Sequence, residues 1–148
     1  MSLEILEEKE AIREVMDRFS CLECDIEGQS EFFTEDCLIR IHAGGKVTME
    51  IKGKEEMVRK FSGFASSVKV SHHMNGQQVI EIHGDRARDT HYCRTVLLIS
   101  MNGKDYFYDH YLRYEDRLVK VDGAWKIAVR DQYFVMSERR LKEETTVR

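Results

Sequence analysis

Apolar residues recur at three- and four-residue steps near the start of the chain. Ile12, Val15, Met16, Phe19, Leu22 and Ile26 make one stripe, which predicts a single amphipathic helix over residues 4–26. Gly28 is the natural stop. A short helical turn over Gln29–Phe33 then lets Phe32 and Phe33 bury themselves. Cys37–Ala43 and Val47–Ile51 read as strands joined at Gly44-Gly45. Gly53 opens a second helix, Lys54–Phe64, with Met57, Val58, Phe61 and Phe64 on one side.

After Ser66 the pattern turns to long β-rich runs: Val68–His83, Arg86–Met101, Asp105–Val121 and Ala124–Met136. Between them stand His83-Gly84-Asp85, Asn102-Gly103 and Asp122-Gly123. Such pairs tolerate the positive φ of tight hairpins, so neighbouring runs should pair antiparallel. The runs are longer than an ordinary strand. The sheet must therefore twist and curl, with bulges. Helices first and a meander after predict an α+β fold, a cone-shaped roll of N-terminal helices packed on a long curved antiparallel sheet. A cone of this kind encloses an apolar pocket suited to a small molecule.

A length of 148 residues fits one domain, 1–148. The net charge of −4 and pI near 5.9 argue against a nucleic-acid surface. Arg139, Arg140 and Lys142 are interleaved with Glu138, Glu143 and Glu144, so residues 137–148 read as a charged, solvated tail. No apolar run approaches the roughly 20 residues of a membrane span, and the acidic N-terminus lacks a signal-peptide pattern. A cytoplasmic location follows as the expectation, with Cys21, Cys24, Cys37 and Cys93 reduced.

Several polar residues are candidates for chemistry. In Arg86–Met101 the odd positions, including Asp89, His91, Cys93, Thr95, Leu97 and Ile99, should face inward, which puts His91 in the cavity. Of the adjacent His72 and His73 only one can point in. Alternation with Val68, Val70 and Met74 favours His72, although a bulge would reverse the choice. Asp25 lies roughly 110° from the centre of the helical stripe, so periodicity leaves it exposed. Cys21-x-x-Cys24 has no second ligand pair at zinc spacing and sits at a helix end unsuited to a redox pair. The sequence holds no Gly-rich phosphate loop, nucleophile elbow or HExxH.

EAIREVMDRFSCLECD (10–25), FFTEDC (32–37), SHHMNGQQVIEIHGDRA (71–87), DTHYCR (89–94) and VDGAWKI (121–127) together resemble the nuclear transport factor 2-like superfamily, and within it the SnoaL-like group. That group includes polyketide cyclases, scytalone dehydratase and bile-acid 7α-dehydratase. The resemblance implies that Asp25 is the carboxylate shared by the two dehydratases, that His73 is the histidine beside it, and that His91 is a second histidine of the scytalone dehydratase type. The chain departs from the pattern where those enzymes carry a tyrosine: Cys24 stands at one such position and Ser20 at the other. The bile-acid enzyme's second carboxylate falls near Thr95. Thr95, Tyr106, Tyr108 and Tyr111 are therefore the expected substrate-binding groups.

The expected function is a cofactor-independent lyase or isomerase acting on a small, mostly apolar carbonyl compound such as a steroid, polyketide or aromatic. His73, paired with Asp25, would be the general base. Neither metal nor organic cofactor is expected. The alternatives are a non-catalytic ligand-binding or association domain, and a structural protein like the β subunit of a ring-hydroxylating dioxygenase. Partners are expected to be a small apolar ligand and further copies of the chain, as a homodimer or homotrimer, with no nucleic acid and no membrane.

Overall fold

In a computed structural model, residues 1–144 are described. The Ser2 hydroxyl accepts a hydrogen bond from the Ile5 amide at 3.2 Å and starts helix α1, Leu3–Cys21. The helix buries Ile12, Met16 and Phe19 against the sheet. The single helix expected over 4–26 is in fact broken at Leu22–Cys24. Glu23 takes φ 54°, and Asp25 caps a new short helix, α2, Ile26–Ser30. Gly28, expected as a stop, lies inside α2. Its amide donates to Asp25 Oδ1 at 3.0 Å, and a Cβ there would lie 2.6 Å from Asp25 Oδ2.

Strands β1 (Phe33–Ala43) and β2 (Lys46–Lys52) form a hairpin, and helix α3 (Lys54–Ala65) crosses to the far edge. There the meander begins: β3 (Val68–His83), β4 (Arg86–Met101), β5 (Lys104–Val121) and β6 (Ala124–Leu141). At two of its turns both central residues have positive φ: Asn102-Gly103 (53° and 77°) and Asp122-Gly123 (50° and 80°), the backbone that matches strand twist. The spatial order is β2-β1-β6-β5-β4-β3, so the six-stranded sheet stays open. It is also mixed, not purely antiparallel as expected. The returning β6 lies beside β1 in the same direction, with Ile39 opposite Arg130.

β6 does not stop at Met136. It pairs with β5 as far as Leu141, opposite Tyr106, so residues 137–141 are strand where a tail was expected. Residues 145–148 of that expected tail lie outside the described residues. The main core joins α1, the wide end of the sheet and α3 through Ile12, Met16, Phe33, Ile39, Met57 and Ile127. Among the described residues no helix is long and apolar enough to cross a membrane.

Candidate active site

The phase of β3 decides which histidine faces the concavity. Lys69 and Val70 together oppose Leu98, and Gly76 and Gln77 together oppose Tyr92, because pairing passes from Val68↔Ile99 to Val70↔Leu98 and from Asn75↔Cys93 to Gln78↔His91. Each extra residue reverses the alternation. Between the two bulges Ser71, His73 and Asn75 face inward, while His72 is exposed. The alternation argument for His72 fails for this reason, and His73 lines the pocket.

The carboxylate that meets His73 is Glu23. Its Oε2 lies 2.5 Å from His73 Nδ1 and accepts from the Ser71 hydroxyl at 2.8 Å. Its Oε1 accepts from the His73 amide at 3.1 Å. Burial raises the Glu23 pKa, but the bonds from the His73 ring, Ser71 and the His73 amide outweigh it and hold the group below the usual carboxylate range. The left-handed backbone at Glu23 turns its side chain from the helix end towards β3. Buried Gln29 secures this turn by donating to Phe19 O at 3.2 Å and Glu23 O at 2.8 Å.

The pocket has a volume of about 280 Å³. Its walls are mostly apolar, from Phe19, Ile39, Phe61, Leu112 and Phe134. His73, Thr95 and His110 lie in register across β3, β4 and β5 on its floor. Tyr114 and Arg130 also line it. Burial pushes the Tyr114 phenol well above its usual pKa. Arg130 sits 4.0 Å over the Tyr114 ring and 4.5 Å over that of Phe19. Burial works against its charge, but the bidentate pair with Asp116, both bonds 2.8 Å, prevails and raises the guanidinium pKa.

The structure separates the other residues expected at the site. Asp25 is exposed, and its carboxylate caps α2 instead of reaching His73. His91 faces inward as expected but is buried outside the pocket lining. Its Nδ1 lies 2.5 Å from Asp89 Oδ2 and its ring stacks on Tyr114 at 4.9 Å. Thr95 lines the pocket. Tyr106, Tyr108 and Tyr111 do not. Tyr111 has the opposite phase and lies under Arg94. Tyr108 bonds Met101 Sδ, and Tyr106 packs against Arg139. Ligand-type atoms of Asp89, His91 and Asp116 lie within 4.8 Å of one another, with Arg130 already paired to Asp116. Cys24 faces the pocket and donates to Ser71 at 3.4 Å, while Cys21 is exposed.

Sequence reasoning missed Glu23, His110, Tyr114 and Arg130. Asp25 directly before the apolar Ile26 was itself a helix-start signal. Read so, it ends α1 earlier and frees Glu23. The even phase shared by Leu112 and Leu118 likewise includes His110 and Tyr114.

A SnoaL-like domain model matches residues 4–131, and no curated protein matches the sequence. A candidate scytalone dehydratase from Novosphingobium aromaticivorans is 23% identical with a TM-score of 0.77, over 97% of this chain and 91% of that one. A candidate aromatic ring hydroxylase from the same organism is 17% identical with a TM-score of 0.79, over 93% and 94%. A type 2 hexachlorocyclohexane dehydrochlorinase is 13% identical with a TM-score of 0.78, over 98% and 97%. At these identities the likeness establishes the shared fold. The family match spans most of the sequence, and the chain belongs to the SnoaL-like domain family.

Proposed function

We propose that the protein is a cofactor-independent lyase or isomerase that removes a proton next to a carbonyl in a small, mostly apolar substrate. The observation that carries this reading is the 2.5 Å contact between Glu23 Oε2 and His73 Nδ1 on the wall of an apolar pocket. The carboxylate fixes the tautomer, with the proton on Nδ1 and the lone pair on Nε2. His73 is then a base whose positive charge, once it has taken a proton, faces Glu23. General base catalysis of this kind contributes roughly 10²–10⁴-fold.

Proton abstraction leaves an enolate. In a water-poor pocket, oriented dipoles stabilise such an anion far better than water does, and the neutral Tyr114 phenol lines this one beside Arg130, whose charge is paired with Asp116. If the substrate carries a β-hydroxyl, the enolate electron pair expels it, and the proton on His73 completes a water molecule. If it does not, return of the proton to another carbon is an isomerisation. Only proton transfers are required. The volume of about 280 Å³ lies at the small end for ligand sites, which favours an aromatic or short polyketide over a steroid. Two of the similar structures are named for eliminations, of water and of hydrogen chloride.

The test is exchange of the α-protons of 2-tetralone in heavy water. Wild type should accelerate it and His73→Ala should lose at least about 100-fold. Binding of the ketone without exchange above the buffer rate would instead mark a binding domain without chemistry.

A further inference from the structure

The floor of the pocket carries a second imidazole. His73, Thr95, His110 and Ser137 are paired in register on four neighbouring strands. Two strand spacings place the Cα atoms of His73 and His110 roughly 10 Å apart, with Thr95 between them. Both histidines line the same cavity.

Ser137 joins this row because of a bulge. Pairing jumps from Leu112↔Phe134 to Tyr111↔Met136, leaving Val135 as the extra residue. Without it, strict alternation would put Ser137 on the outer face with Asp131 and Tyr133. The bulge instead brings the Ser137 hydroxyl within 2.8 Å of His110 Nδ1. Phe134 packs edge-on to the ring at 5.0 Å. Burial lowers the His110 pKa, against the opposing pull of Asp109, which favours the neutral ring. A neutral imidazole has one donor and one acceptor nitrogen. A hydroxyl donating to Nδ1 leaves the proton on Nε2.

We propose that His110 is a second catalytic residue, a neutral donor whose Nε2–H, set by Ser137, bonds the substrate's carbonyl oxygen across Thr95 from His73. Ser137 is its positioning residue. The inference rests on His73 as the base and adds the group that meets the charge this base creates. His73 Nε2 takes the α-proton, the C–H pair becomes the new C=C, and the carbonyl π pair moves to oxygen. There it accepts the bond from His110, which keeps its proton. The substrate class is a ketone whose enolisable carbon and oxygen span the gap between the two rings.

Three measurements test this. In the ¹⁵N spectrum, His110 should show a protonated Nε2 and an accepting Nδ1, and Ser137→Ala should mix the tautomers; a wild-type ring protonated on Nδ1 overturns the proposal. In 2-tetralone exchange, His110→Ala should lose about 100-fold, as when one oxyanion donor is removed, with a smaller loss for Ser137→Ala. Unchanged exchange in His110→Ala, in a protein where His73→Ala abolishes it, overturns the role of His110 and leaves the base standing. If wild type does not exchange the ketone, the base reading fails and binding of 2-naphthol decides on His110. Roughly tenfold weaker binding in His110→Ala with naphthalene unaffected supports the donor; a wild type with no preference for 2-naphthol over naphthalene overturns it.

Discussion

Glu23 holds φ 54° outside any hairpin turn, whereas the other non-glycine residues with positive φ among those described, Asn102 and Asp122, sit in hairpin turns. Such a backbone costs roughly 1–2 kcal/mol for a residue with a Cβ. Here it is held by the Gln29 bonds and by the ligands of the carboxylate on β3. Strain of this sort concentrates where side chains must be aimed. Helical periodicity is blind to it: the stripe runs on through Leu22 and Ile26 and hides the break at Glu23.

The buried carboxylate of Asp109 serves stability. Asp109 is 2% exposed on the outer side of the sheet, between Arg94 and Arg140. The bond from Arg94 leads in lowering its pKa from 3.8 to about 2. A depressed carboxylate pKa stabilises the fold above the unfolded-state value, and that stability is lost as pH falls through the folded-state value. Because both arginines are about half exposed, the contribution is about 1–2 kcal/mol. Denaturant unfolding of Asp109→Asn should therefore show a loss of this size at pH 7. The gap to wild type should shrink between pH 4 and pH 2.

The strand ends beside glycine-containing turns were read to within a residue, whereas the start of β1 at Phe33 and the end of β6 at Leu141, which no such turn marks, were not. The inward phase of β4 was also legible, since no bulge interrupts its pairing with β5. The phase of β3 was not, because two bulges reverse it and only Gly76 hints at either. In β5 the alternation itself was sufficient: Leu112 and Leu118 mark the inward phase, and Tyr111 lies on the other face. Tyr106 and Tyr108 have the right phase but lie beyond the pocket. Deleting Gln77 removes the extra residue opposite Tyr92. The strand must then turn either His73 outward or Ile80 and Ile82 out of the core. A variant lacking Gln77 should lose 2-tetralone exchange, and thermal unfolding should show a lower midpoint. Full activity in that variant would mean that the bulge does not set the phase.

Across the whole molecule, the open sheet wraps α1 and α3 and leaves a concavity between them. Arg130 anchors its depth, bonded to Asp116 and lying over Tyr114, Phe19 and Phe33. Breaking such a buried pair by removing one partner typically costs about 3–5 kcal/mol, so Arg130 is a poor choice for isolating catalysis from folding. The outer face exposes Val70, Met74, Val79 and Tyr92, a surface that would suit the self-association expected from the sequence. The fold class was legible because helices precede a hairpin-linked meander. The parallel β1–β6 contact was not, because it joins segments about 90 residues apart with no local signal.

The decisive comparison is between two conservative variants two residues apart. In the same heavy-water exchange of 2-tetralone, Glu23→Gln should slow the reaction at least about tenfold while keeping the fold. Asp25→Asn, altered only at the cap of α2, should exchange at the wild-type rate. The opposite pattern, with Asp25→Asn as impaired as His73→Ala and Glu23→Gln unaffected, would refute the Glu23–His73 pair as the working base.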